Sequence, residues 1–346
     1  MGSALPCEGD RESVSVIATV YNEGPAIDRL LDSLASQTRR PDEVIIVDGG
    51  SRDDTLVRLR RAEESGRLPL RVLERPGANI SAGRNAAVAA ARGPLIAGTD
   101  AGVRLDPGWL AALLEPFARP DPPDVVSGFF VADAHSTFEV ALAATTLPAL
   151  RDVRPAAFLP SSRSVAYRKA AWEAVGGYPE WLDYCEDLIF DLRLRQEGFR
   201  FAFAPAAVVA FRPRPNLGAF FRQYYRYARG DGKADLWRRR HVVRYATYLA
   251  AVPGLLALAL RFSPWWALGY LLGGAAMWAT PYRRLVDLWG ALAPAERLQA
   301  IAWVPIIRFT GDLAKMLGYP AGWAWRLQRR GRAELEWRAK RTAPGA

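Results

Sequence analysis

The sequence predicts an α/β fold followed by a C-terminal helical region that anchors the protein to a membrane. Three observations lead to this prediction. In the first 115 residues, short β-branched strands alternate with segments of helical spacing. Aspartates follow two of these apolar strands, at the position where parallel sheets bind their ligands. In the last third, two long apolar stretches lie between clusters of arginine.

The first 115 residues contain the alternating elements. Apolar runs predict four strands, at residues 14–20, 43–47, 70–73 and 94–98. Apolar residues spaced three and four apart predict helices at residues 24–37, 55–64 and 81–92. Strands separated by helices form a parallel sheet, so Asp48 and Asp100 are expected together at its carboxyl edge.

Residues 125–211 carry a mixture of strand and helix signals. Strands are predicted at residues 125–130, 200–205 and 205–210, and helices at residues 169–175 and 186–197. Glycines that follow the two helical segments are expected to end them. Together with the preceding segment, this predicts one α/β domain over residues 13–215, after an N-terminal tail of residues 1–12.

The chain becomes helical after Leu217, and two apolar stretches follow at residues 242–260 and 265–280. The first is long enough to span a bilayer core, and the second is slightly short. Arginines flank the outer ends of both stretches, whereas the turn between them carries one. This asymmetry predicts a transmembrane hairpin with both outer ends in the cytoplasm. A buried helical pair in a soluble domain is the alternative.

The segments around the hairpin are expected to lie at the membrane surface. Residues 216–241 predict an amphipathic interface helix, residues 242–281 the hairpin itself, and residues 282–346 interfacial helices with a basic tail. Within the last segment, residues 298–317 are apolar but interrupted by charges, which favours a helix lying on the membrane. The sequence therefore predicts a protein of the inner membrane whose α/β domain lies in the cytoplasm.

The charge of the chain favours contact with phosphate or anionic lipid. The formal net charge is +10, and nearly all of the 46 basic residues are arginine. Arginine clusters bracket the apolar segments of the last third, which is typical of a membrane face. No helix-turn-helix, zinc-finger or RNP-type motif is present, so a nucleic-acid partner is not expected.

The cysteines argue against a disulfide framework or a zinc site. Cys7 and Cys185 lie far apart and have no metal-ligand spacing, which fits a reducing compartment. No charged region followed by an apolar segment precedes the first strand, so a signal peptide is not expected. The sequence carries no signal for the oligomeric state.

Six short motifs occur in order along the chain. They are Tyr21-Asn22-Glu23, Val47-Asp48-Gly49-Gly50-Ser51, Gly83-Arg84-Asn85, Thr99-Asp100-Ala101-Gly102, Gly176-Gly177-Tyr178, and Glu186-Asp187 followed by Arg193 and Gly198. This ordered set, over roughly residues 13–230, resembles the inverting glycosyltransferases of family 2. The resemblance implies a GT-A fold, a Rossmann-like domain with a mixed sheet, similar to that of membrane-bound enzymes that build envelope glycans or glycolipids.

The resemblance implies a site for a nucleotide-sugar donor, with roles for six residues. They are Thr19, Tyr21, Glu23, Asp48, Arg84 and Asp100. Thr19 and Tyr21 would contact the nucleobase, and Asp48 would accept the imide N–H of uracil. Arg84 would reach the base or a phosphate. The alternatives are a turn-forming role for Asp48 and an ordinary solvated position for Arg84.

Asp100 would lie under the ribose and diphosphate and help to hold Mg²⁺ or Mn²⁺. The chain departs from the family here, because the usual Asp-x-Asp has become Asp100-Ala101-Gly102. Phe211 also stands where many relatives have a histidine. One carboxylate, the diphosphate and waters would hold a cation weakly. The alternative is that arginines neutralise the leaving diphosphate, with Arg212, Arg214 and Arg226 as candidates.

Glu186 and Asp187 begin a predicted helix, where the helix dipole stabilises negative charge. The resemblance assigns the role of catalytic base to Asp187, which would take the proton of the acceptor hydroxyl. Glu186 would orient the acceptor or the base. Capping of the helix, for which both residues are suited, is the alternative.

Gln223, Arg226 and Tyr227 resemble the Gln-x-x-Arg-Trp signature of processive relatives, with tyrosine in place of tryptophan. The resemblance implies contact with the acceptor sugar and the diphosphate. An amphipathic helix on the membrane is the alternative. Two spans are too few to form a polymer channel within one chain, so transfer of single sugars is favoured.

The sequence therefore predicts an enzyme that moves a sugar from a nucleoside diphosphate donor, with UDP favoured, to a lipid-linked or glycan acceptor. A processive polysaccharide synthase subunit is one alternative. A non-catalytic scaffold with a degenerate GT-A domain is another, because the second acid of the Asp-x-Asp is missing.

Overall fold

The computed structural model describes residues 12–338, which form two units. The first unit contains residues 12–131, 154–211 and 337–338, and the second contains residues 132–153 and 212–336. Residues 1–11 of the predicted tail, with Cys7, and residues 339–346 of the predicted basic tail lie outside the described residues.

The first unit is built on a sheet of eight strands. In chain order they are β1 Val14–Val20, β2 Glu43–Asp48, β3 Leu70–Glu74, β4 Leu95–Gly98, β5 Val103–Leu105, β6 Val125–Ala132, β7 Val165–Arg168 and β8 Phe201–Phe211. Their order across the sheet is β3-β2-β1-β4-β7-β6-β8-β5. The two strand segments predicted at residues 200–205 and 205–210 form the single strand β8, whereas β5 and β7 were not predicted.

Within residues 12–338, twelve α-helices accompany the strands. They are α1 Ala26–Ala35, α2 Thr55–Glu64, α3 Ile80–Ala90, α4 Trp109–Leu114, α5 Thr137–Thr146, α6 Lys169–Val175, α7 Glu186–Gln196, α8 Leu217–Ala234, α9 Arg238–Ala246, α10 Val252–Arg261, α11 Leu268–Asp287 and α12 Pro294–Gln328. Short 3₁₀ segments occur at Glu115–Ala118, Leu150–Asp152, Pro155–Ala157, Pro264–Ala267, Trp289–Ala291 and Ala333–Glu336.

The sheet is mixed, as the resemblance implied. Strands β3, β2, β1 and β4 run parallel, with Val20 opposite Asp48 and Ile17 opposite Gly98. Strand β7 then pairs antiparallel with β4, and β5 pairs antiparallel with β8. The parallel half follows from the helical crossovers between its strands, whereas the antiparallel half depends on pairings between residues far apart in the chain.

Alternate residues of β1 point to opposite faces of the sheet, and each face is covered. Val16 packs in a core with α1 and α4, while Ile17 packs in the other core with α3, α6 and α7. A strand that is buried on both faces reads as a continuous apolar run, which is why the strand signal of residues 14–20 is so clear.

The strand directions bring several loops to one edge of the sheet. The carboxyl ends of β1, β2 and β4 meet there because these strands are parallel. Since β7 is antiparallel to β4, the loop before β7 reaches the same edge, with Val165 opposite Gly98. Phe211, at the end of β8, pairs with Val103 just after Thr99-Asp100-Ala101-Gly102. The segments that the sequence analysis expected at one edge of the sheet therefore lie there, and ligand binding at that edge stays a prediction.

The second unit is helical, and α8 and α12 are its most extensively packed pair of helices. The glycines Gly318 and Gly322 of α12 touch the backbone of α8, where a Cβ would collide with the carbonyl oxygens of Tyr225 and Arg229. The predicted interfacial segment 298–317 lies within α12. One face of α12 is buried in the unit, and its outer face exposes Leu313 and other apolar residues.

One helix of residues 12–338 is long and apolar enough to cross a bilayer. It runs over Arg238–Arg261, through α9, a π-helical turn at Thr247–Ala251 and α10. Its mean hydropathy is 1.5 over the most apolar window, none of which is buried. The second predicted span falls in α11, which begins only at Leu268 and carries Arg283, Arg284 and Asp287 near its end, so it is less apolar than Arg238–Arg261. Residues 12–338 thus contain one candidate span, and the two-span hairpin stays a prediction.

Buried polar groups link the first turns of this candidate span to α12. Arg244 donates from Nε to Oδ1 of Asp312 at 2.7 Å, and the hydroxyl of Tyr248 donates to Oδ2 at 3.1 Å. His241 is 2% exposed, and its Nε2 lies 3.2 Å from a carboxylate oxygen of Asp231. Each of these polar side chains therefore has a partner, which attaches this end of the candidate span to α8 and α12.

The boundary between the units differs from the predicted domain boundary. Residues 132–153, which include α5, belong to the second unit, and the first unit ends at Phe211 rather than at residue 215. Helix α5 packs against α12 through an edge-to-face contact of Phe138 with Trp303, with ring centroids 5.0 Å apart. The sequence contains no break in composition at either end of this segment.

Candidate active site

The loops after β1 and β2 are tied together by side chains. The backbone N–H of Asn22 donates to Oγ of Ser51 at 2.9 Å, and Oδ1 of Asn22 accepts from the backbone of Arg52 at 2.8 Å. Asn22 has a φ of 54°, a left-handed conformation that asparagine tolerates better than most residues. This connection leaves the ring of Tyr21 55% exposed at the edge of the sheet, while Thr19 and Glu23 are partly buried.

Asp48 is 1% exposed, and its carboxylate holds its own turn. It accepts from the backbone N–H groups of Gly50 at 3.1 Å and Ser51 at 3.0 Å, and from the hydroxyl of Ser51. This geometry favours the turn-forming alternative. A contact from Asp48 to uracil stays a prediction.

Helix α3 places Gly83-Arg84-Asn85 against the centre of the first unit. A Cβ on Gly83 would lie 2.7 Å from Cγ2 of Thr19, so glycine lets the helix approach β1. Asn85 accepts at Oδ1 from the backbone of Tyr178 at 2.8 Å and from the indole N–H of Trp172 at 3.0 Å. The third motif therefore holds the fifth in position.

The close contact between Asn85 and the turn before Tyr178 requires glycine at position 177. Its φ is +73°, and a Cβ there would lie 2.6 Å from Oδ1 of Asn85. Glycine is therefore needed for both its backbone conformation and its space. Tyr178 then lies beneath the guanidinium of Arg84, 5.5 Å from the ring centroid to the guanidinium carbon.

Arg84 joins two of the predicted site carboxylates. Its Nη1 donates to Oε1 of Glu186 at 2.7 Å, and its Nη2 donates to Oδ1 of Asp100 at 3.0 Å. The side chain of Arg84 is 6% exposed, that of Glu186 is 8% exposed and that of Asp100 is 30% exposed. The alternative of a solvated helix arginine is therefore wrong. The chain Asp100–Arg84–Glu186 will be called the ion-pair chain.

Helix α7 begins at Glu186, after Cys185 in a left-handed conformation with a φ of 67°. Glu186 and Asp187 thus occupy the first turn, where the helix dipole favours carboxylates. Glu186 is committed to Arg84, whereas Asp187 is partly exposed and accepts at Oδ1 from the backbone of Leu188 at 2.8 Å. Of the two acids, Asp187 is the one open to solvent.

The surroundings raise the pKa of Glu186 to about 7. Burial is the main cause, the neighbouring charge of Asp187 adds to it, and Arg84 opposes both. For Arg84 the attraction of Glu186 and Asp100 outweighs burial, so its pKa is raised and it stays charged. A buried cation between two acids thus keeps this part of the site at low net charge.

Asp191 is a buried acid of α7 that the sequence analysis missed. It is 3% exposed and stands one turn after Asp187, and its Oδ2 has no hydrogen-bond partner among the residues that the structure describes. Burial raises its pKa well above the ordinary value, as does Asp187, while Arg195 and Arg84 oppose the shift. The position of this acid between Phe190 and Leu194, two apolar residues that lie in the core, is the sequence signal that could have indicated its burial.

We expect Asp191→Asn to raise the thermal midpoint of the protein, and to raise it more at pH 8 than at pH 5.5. Between the unfolded pKa of about 3.9 and the raised folded pKa, the folded state holds a proton that the unfolded state releases. Stability from this group is therefore present at low pH and lost as the pH rises. Asparagine cannot ionise, so the gain should reach about 1–3 kcal/mol at pH 8.

The exposed Glu197→Gln, just after the end of α7, is the control for this measurement. It makes the same carboxylate-to-amide change in solvent and should leave the midpoint within about 0.5 kcal/mol of wild type at both pH values. A gain for Asp191→Asn that is equal at pH 5.5 and pH 8 would contradict the burial argument.

Asp100 does not offer a fitting site for a divalent cation as the structure places it. A hard cation takes six or more oxygen ligands, but no group of three or more His, Cys, Asp or Glu residues suited to a metal occurs in residues 12–338. Asp100 faces Arg84 at one oxygen and Arg163 at the other, with Nε of Arg163 3.6 Å from Oδ2. Oε2 of Glu23 lies 3.9 Å from where a Cβ on Gly102 would lie.

Gln223, Arg226 and Tyr227 lie on α8, in the second unit. Nε2 of Gln223 donates to the hydroxyl of Tyr227 at 2.8 Å, one turn along the helix, and Arg226 is exposed. Of the arginines proposed to face the diphosphate, Arg212 pairs with the buried Glu139 at 2.9 Å. The roles of these α8 residues stay predictions.

Two family models match the chain. The model described as "Glycosyl transferase family 2" matches residues 15–171, which contain the first four motifs. The model described as "Glycosyl transferase family group 2" matches residues 131–309, more than half of the chain. Together they run from β1 into α12.

The curated relatives include a validoxylamine A glucosyltransferase of Streptomyces hygroscopicus subsp. limoneus, 35% identical over 117 residues. That match covers 33% of this chain and 26% of the relative, so the chain spans about a quarter of its length. The O-antigen chain rhamnosyltransferase RfbN of Salmonella typhimurium is 22% identical over 223 residues, which cover 60% of this chain and 70% of the relative.

A solved structure shares the fold. The mannosyltransferase PcManGT of Pyrobaculum calidifontis, solved with GDP-mannose and Mn²⁺, superposes with a TM-score of 0.55 at 20% identity. The superposition covers 92% of this chain and 88% of the other. At this identity the likeness shows the fold, and it confirms the predicted GT-A architecture of the α/β domain.

Proposed function

This chain belongs to glycosyltransferase family 2, and on that premise we propose that it is an inverting glycosyltransferase. The donor would be a nucleoside diphosphate sugar, with UDP favoured and a hexose-type sugar. The acceptor would be a hydroxyl of a lipid-linked molecule or glycan. Transfer would take place at the cytoplasmic face of the inner membrane.

The observation that carries the proposal is the position of Asp187. It is the partly exposed acid that directly follows Glu186, and Glu186 ends the ion-pair chain whose other end is Asp100 at the carboxyl edge of the sheet. Ligands of such sheets bind at this edge. Asp187 can thus meet an incoming hydroxyl, and it adjoins Glu186, which Arg84 connects to Asp100 at the edge where the donor would bind.

The proposed reaction is a single displacement. The acceptor hydroxyl gives its proton to a carboxylate oxygen of Asp187, and its oxygen attacks the anomeric carbon of the donor. The bond from that carbon to the diphosphate oxygen breaks at the same time, and the nucleoside diphosphate leaves with the electron pair. Attack opposite the leaving group inverts the configuration. Glu186, held by Arg84, would keep the start of α7 and therefore Asp187 in place.

Other residues of the edge would bind the donor. Tyr21, which is exposed, and Thr19, near the end of β1, would meet a flat base at the sheet edge. The curated relatives are named for transfer of glucose and of rhamnose, which supports a hexose-type donor. Gln223, Arg226 and Tyr227 would contact the acceptor sugar or the diphosphate.

The exposed helix Arg238–Arg261 supports membrane attachment. Its most apolar part is not buried by the rest of the described chain, and arginines cluster at its start. An uncovered apolar surface of this length is costly in water and stable in lipid. Arginine at the starting end favours the cytoplasmic side for that end. We propose that this helix keeps the site near a lipid-borne hydroxyl.

Detergent-purified protein should be melted with UDP, GDP, dTDP and CMP, and then incubated with the sugar form of the nucleotide that stabilises it. Binding to the native state raises stability by RT ln(1 + [L]/Kd), so one nucleotide should raise the midpoint, and its sugar donor should be turned over. The protein should also stay in membranes after carbonate washing and leave them in detergent. A protein that binds no nucleotide and turns over no donor would contradict the proposed function.

A further inference from the structure

Arg163 is a charged residue at the carboxyl edge of the sheet, where the donor is proposed to bind, and it belongs to none of the six motifs. It lies in the tight turn before β7, where the backbone N–H of Ser164 donates to the carbonyl of Ser161 at 2.9 Å. The hydroxyl of Thr99 donates to the carbonyl of Arg163 at 3.0 Å. The turn is thus fixed to the end of β4, next to Asp100.

The turn is also anchored on its other side. The hydroxyl of the fully buried Ser164 donates to the carbonyl of Ala207 in β8 at 2.9 Å, and the indole N–H of Trp109 donates to that hydroxyl at 2.9 Å. Three elements of the first unit therefore hold the backbone of this turn. A side chain on such a turn keeps its position when a ligand binds, so little ordering is needed.

The guanidinium of Arg163 lies between Asp100 and Phe211. Its Nε is 3.6 Å from Oδ2 of Asp100, and its central carbon lies 4.4 Å from the ring centroid of Phe211. The side chain is 24% exposed. Stacking on a ring uses the face of a guanidinium, whereas its N–H donors lie in the plane and suit the oxygens of a phosphate.

Phe211 stands where many relatives have a histidine that could complete a metal site. In this chain the ring instead supports a cation that is part of the protein. The second acid of the Asp-x-Asp motif, which would be another metal ligand, is also missing, because Gly102 stands in its place. Two positions around Asp100, Gly102 and Phe211, thus lack the ligands of a metal site. Both changes favour the guanidinium of Arg163 over a bound metal ion as the partner of Asp100.

We propose that Arg163, together with Arg84, provides the positive charge for the donor diphosphate that a divalent cation provides elsewhere in the family. This inference rests on the proposed function. As the anomeric carbon–oxygen bond breaks, the leaving diphosphate gains negative charge, which hydrogen bonds from the Arg163 guanidinium stabilise. No proton leaves the arginine, since a guanidinium stays protonated throughout. Asp100 then orients the two guanidinium groups.

Wild-type protein and the variants Arg163→Met, Arg163→Lys and Arg104→Met should be compared for nucleotide binding and donor turnover. Arg104 is exposed on β5, and its change to methionine is the matched control. Binding of whichever of UDP, GDP, dTDP and CMP stabilises the wild type is measured by calorimetry, in EDTA and in Mn²⁺. Thermal midpoints without nucleotide show that each variant is folded.

Wild type is expected to bind the nucleotide and turn over its donor equally well in EDTA and in Mn²⁺. Arg163→Met should weaken binding about 10- to 100-fold, as expected for loss of a charged hydrogen-bond donor, with Arg163→Lys between it and wild type. Arg104→Met should match wild type. Adding Gly102→Asp to Arg163→Met should make nucleotide binding depend on Mn²⁺, because it restores the second acid where the guanidinium has been removed.

Activity of wild type that is lost in EDTA and restored by Mn²⁺ would overturn the inference and leave the proposed function standing. So would an Arg163→Met variant that binds nucleotide as tightly as Arg104→Met. If wild type binds no nucleotide and turns over no donor in either condition, the proposed function fails, and the inference fails with it.

Discussion

Replacing Asp187 with asparagine is expected to lower the rate of sugar transfer by a factor of about 10² to 10⁴, with nucleotide binding close to that of wild type. Asparagine has nearly the same shape but cannot accept the hydroxyl proton. Asp187 is partly exposed and touches neither Arg84 nor Asp100 through any hydrogen bond that the structure records. The loss should therefore fall on turnover, measured with saturating donor and acceptor, rather than on the donor Kd.

Two variants make this result specific. Glu197→Gln makes the same chemical change in solvent, just past the end of α7, and should leave turnover unchanged. Glu186→Gln should lower both turnover and the thermal midpoint, because it leaves the buried Arg84 with one acid. If Asp187→Asn retains wild-type turnover, Asp187 is not the base.

Replacing Arg84 with methionine is expected to lower the thermal midpoint by roughly 6–20 °C, equivalent to about 3–5 kcal/mol. Methionine fills much of the same volume but leaves Glu186 buried without its cation. The loss should be smaller at pH 5.5 than at pH 8. Without Arg84 the already raised pKa of Glu186 would rise further, so stability from this group is present at low pH and lost as the pH rises.

Arg29→Met, on the exposed face of α1, is the matched control and should stay within about 0.5 kcal/mol of wild type. The double variant Arg84→Met with Glu186→Gln should recover part of the lost stability, because no unpaired buried charge remains at that position. A drop for Arg84→Met no larger than that for Arg29→Met would show that the ion-pair chain does not stabilise the fold.

The order of elements in the first half of the α/β domain could be predicted from sequence. Helix α2 at Thr55–Glu64 and strand β1 at Val14–Val20 match their predicted bounds. Their signals are local, since helical spacing and β-branched runs are properties of neighbouring residues. Strands β5 and β7 were missed because they are short and their stability comes from partners far along the chain.

The candidate site was predicted in part. The sequence motifs predicted Arg84, Asp100 and Glu186 as site residues, and in the structure the side chain of Arg84 contacts both acids. The sequence did not indicate that Arg84 is buried between the two acids. Arg163 escaped notice, because a Ser-Arg-Ser turn carries no pattern that distinguishes it from a surface loop.

The membrane region shows the limit of hydropathy alone. The first apolar stretch lies in the exposed helix Arg238–Arg261, as predicted. The second stretch begins with a 3₁₀ turn at Pro264–Ala267, so fewer of its apolar residues lie in one helix. Hydropathy records composition along the chain, whereas the length of a span depends on where a helix starts and ends.

The sequence by itself determined the strand and helix order of the α/β domain, its family motifs and the acids at the ends of its strands. Only the tertiary structure decided the ionic partners of those acids. Asp100 could have bound a cation or a guanidinium, and Glu186 could have capped a helix in solvent or paired in the core. Periodicity acts between neighbours, but a charge pair depends on distances across the fold, here between residues 84, 100, 163 and 186.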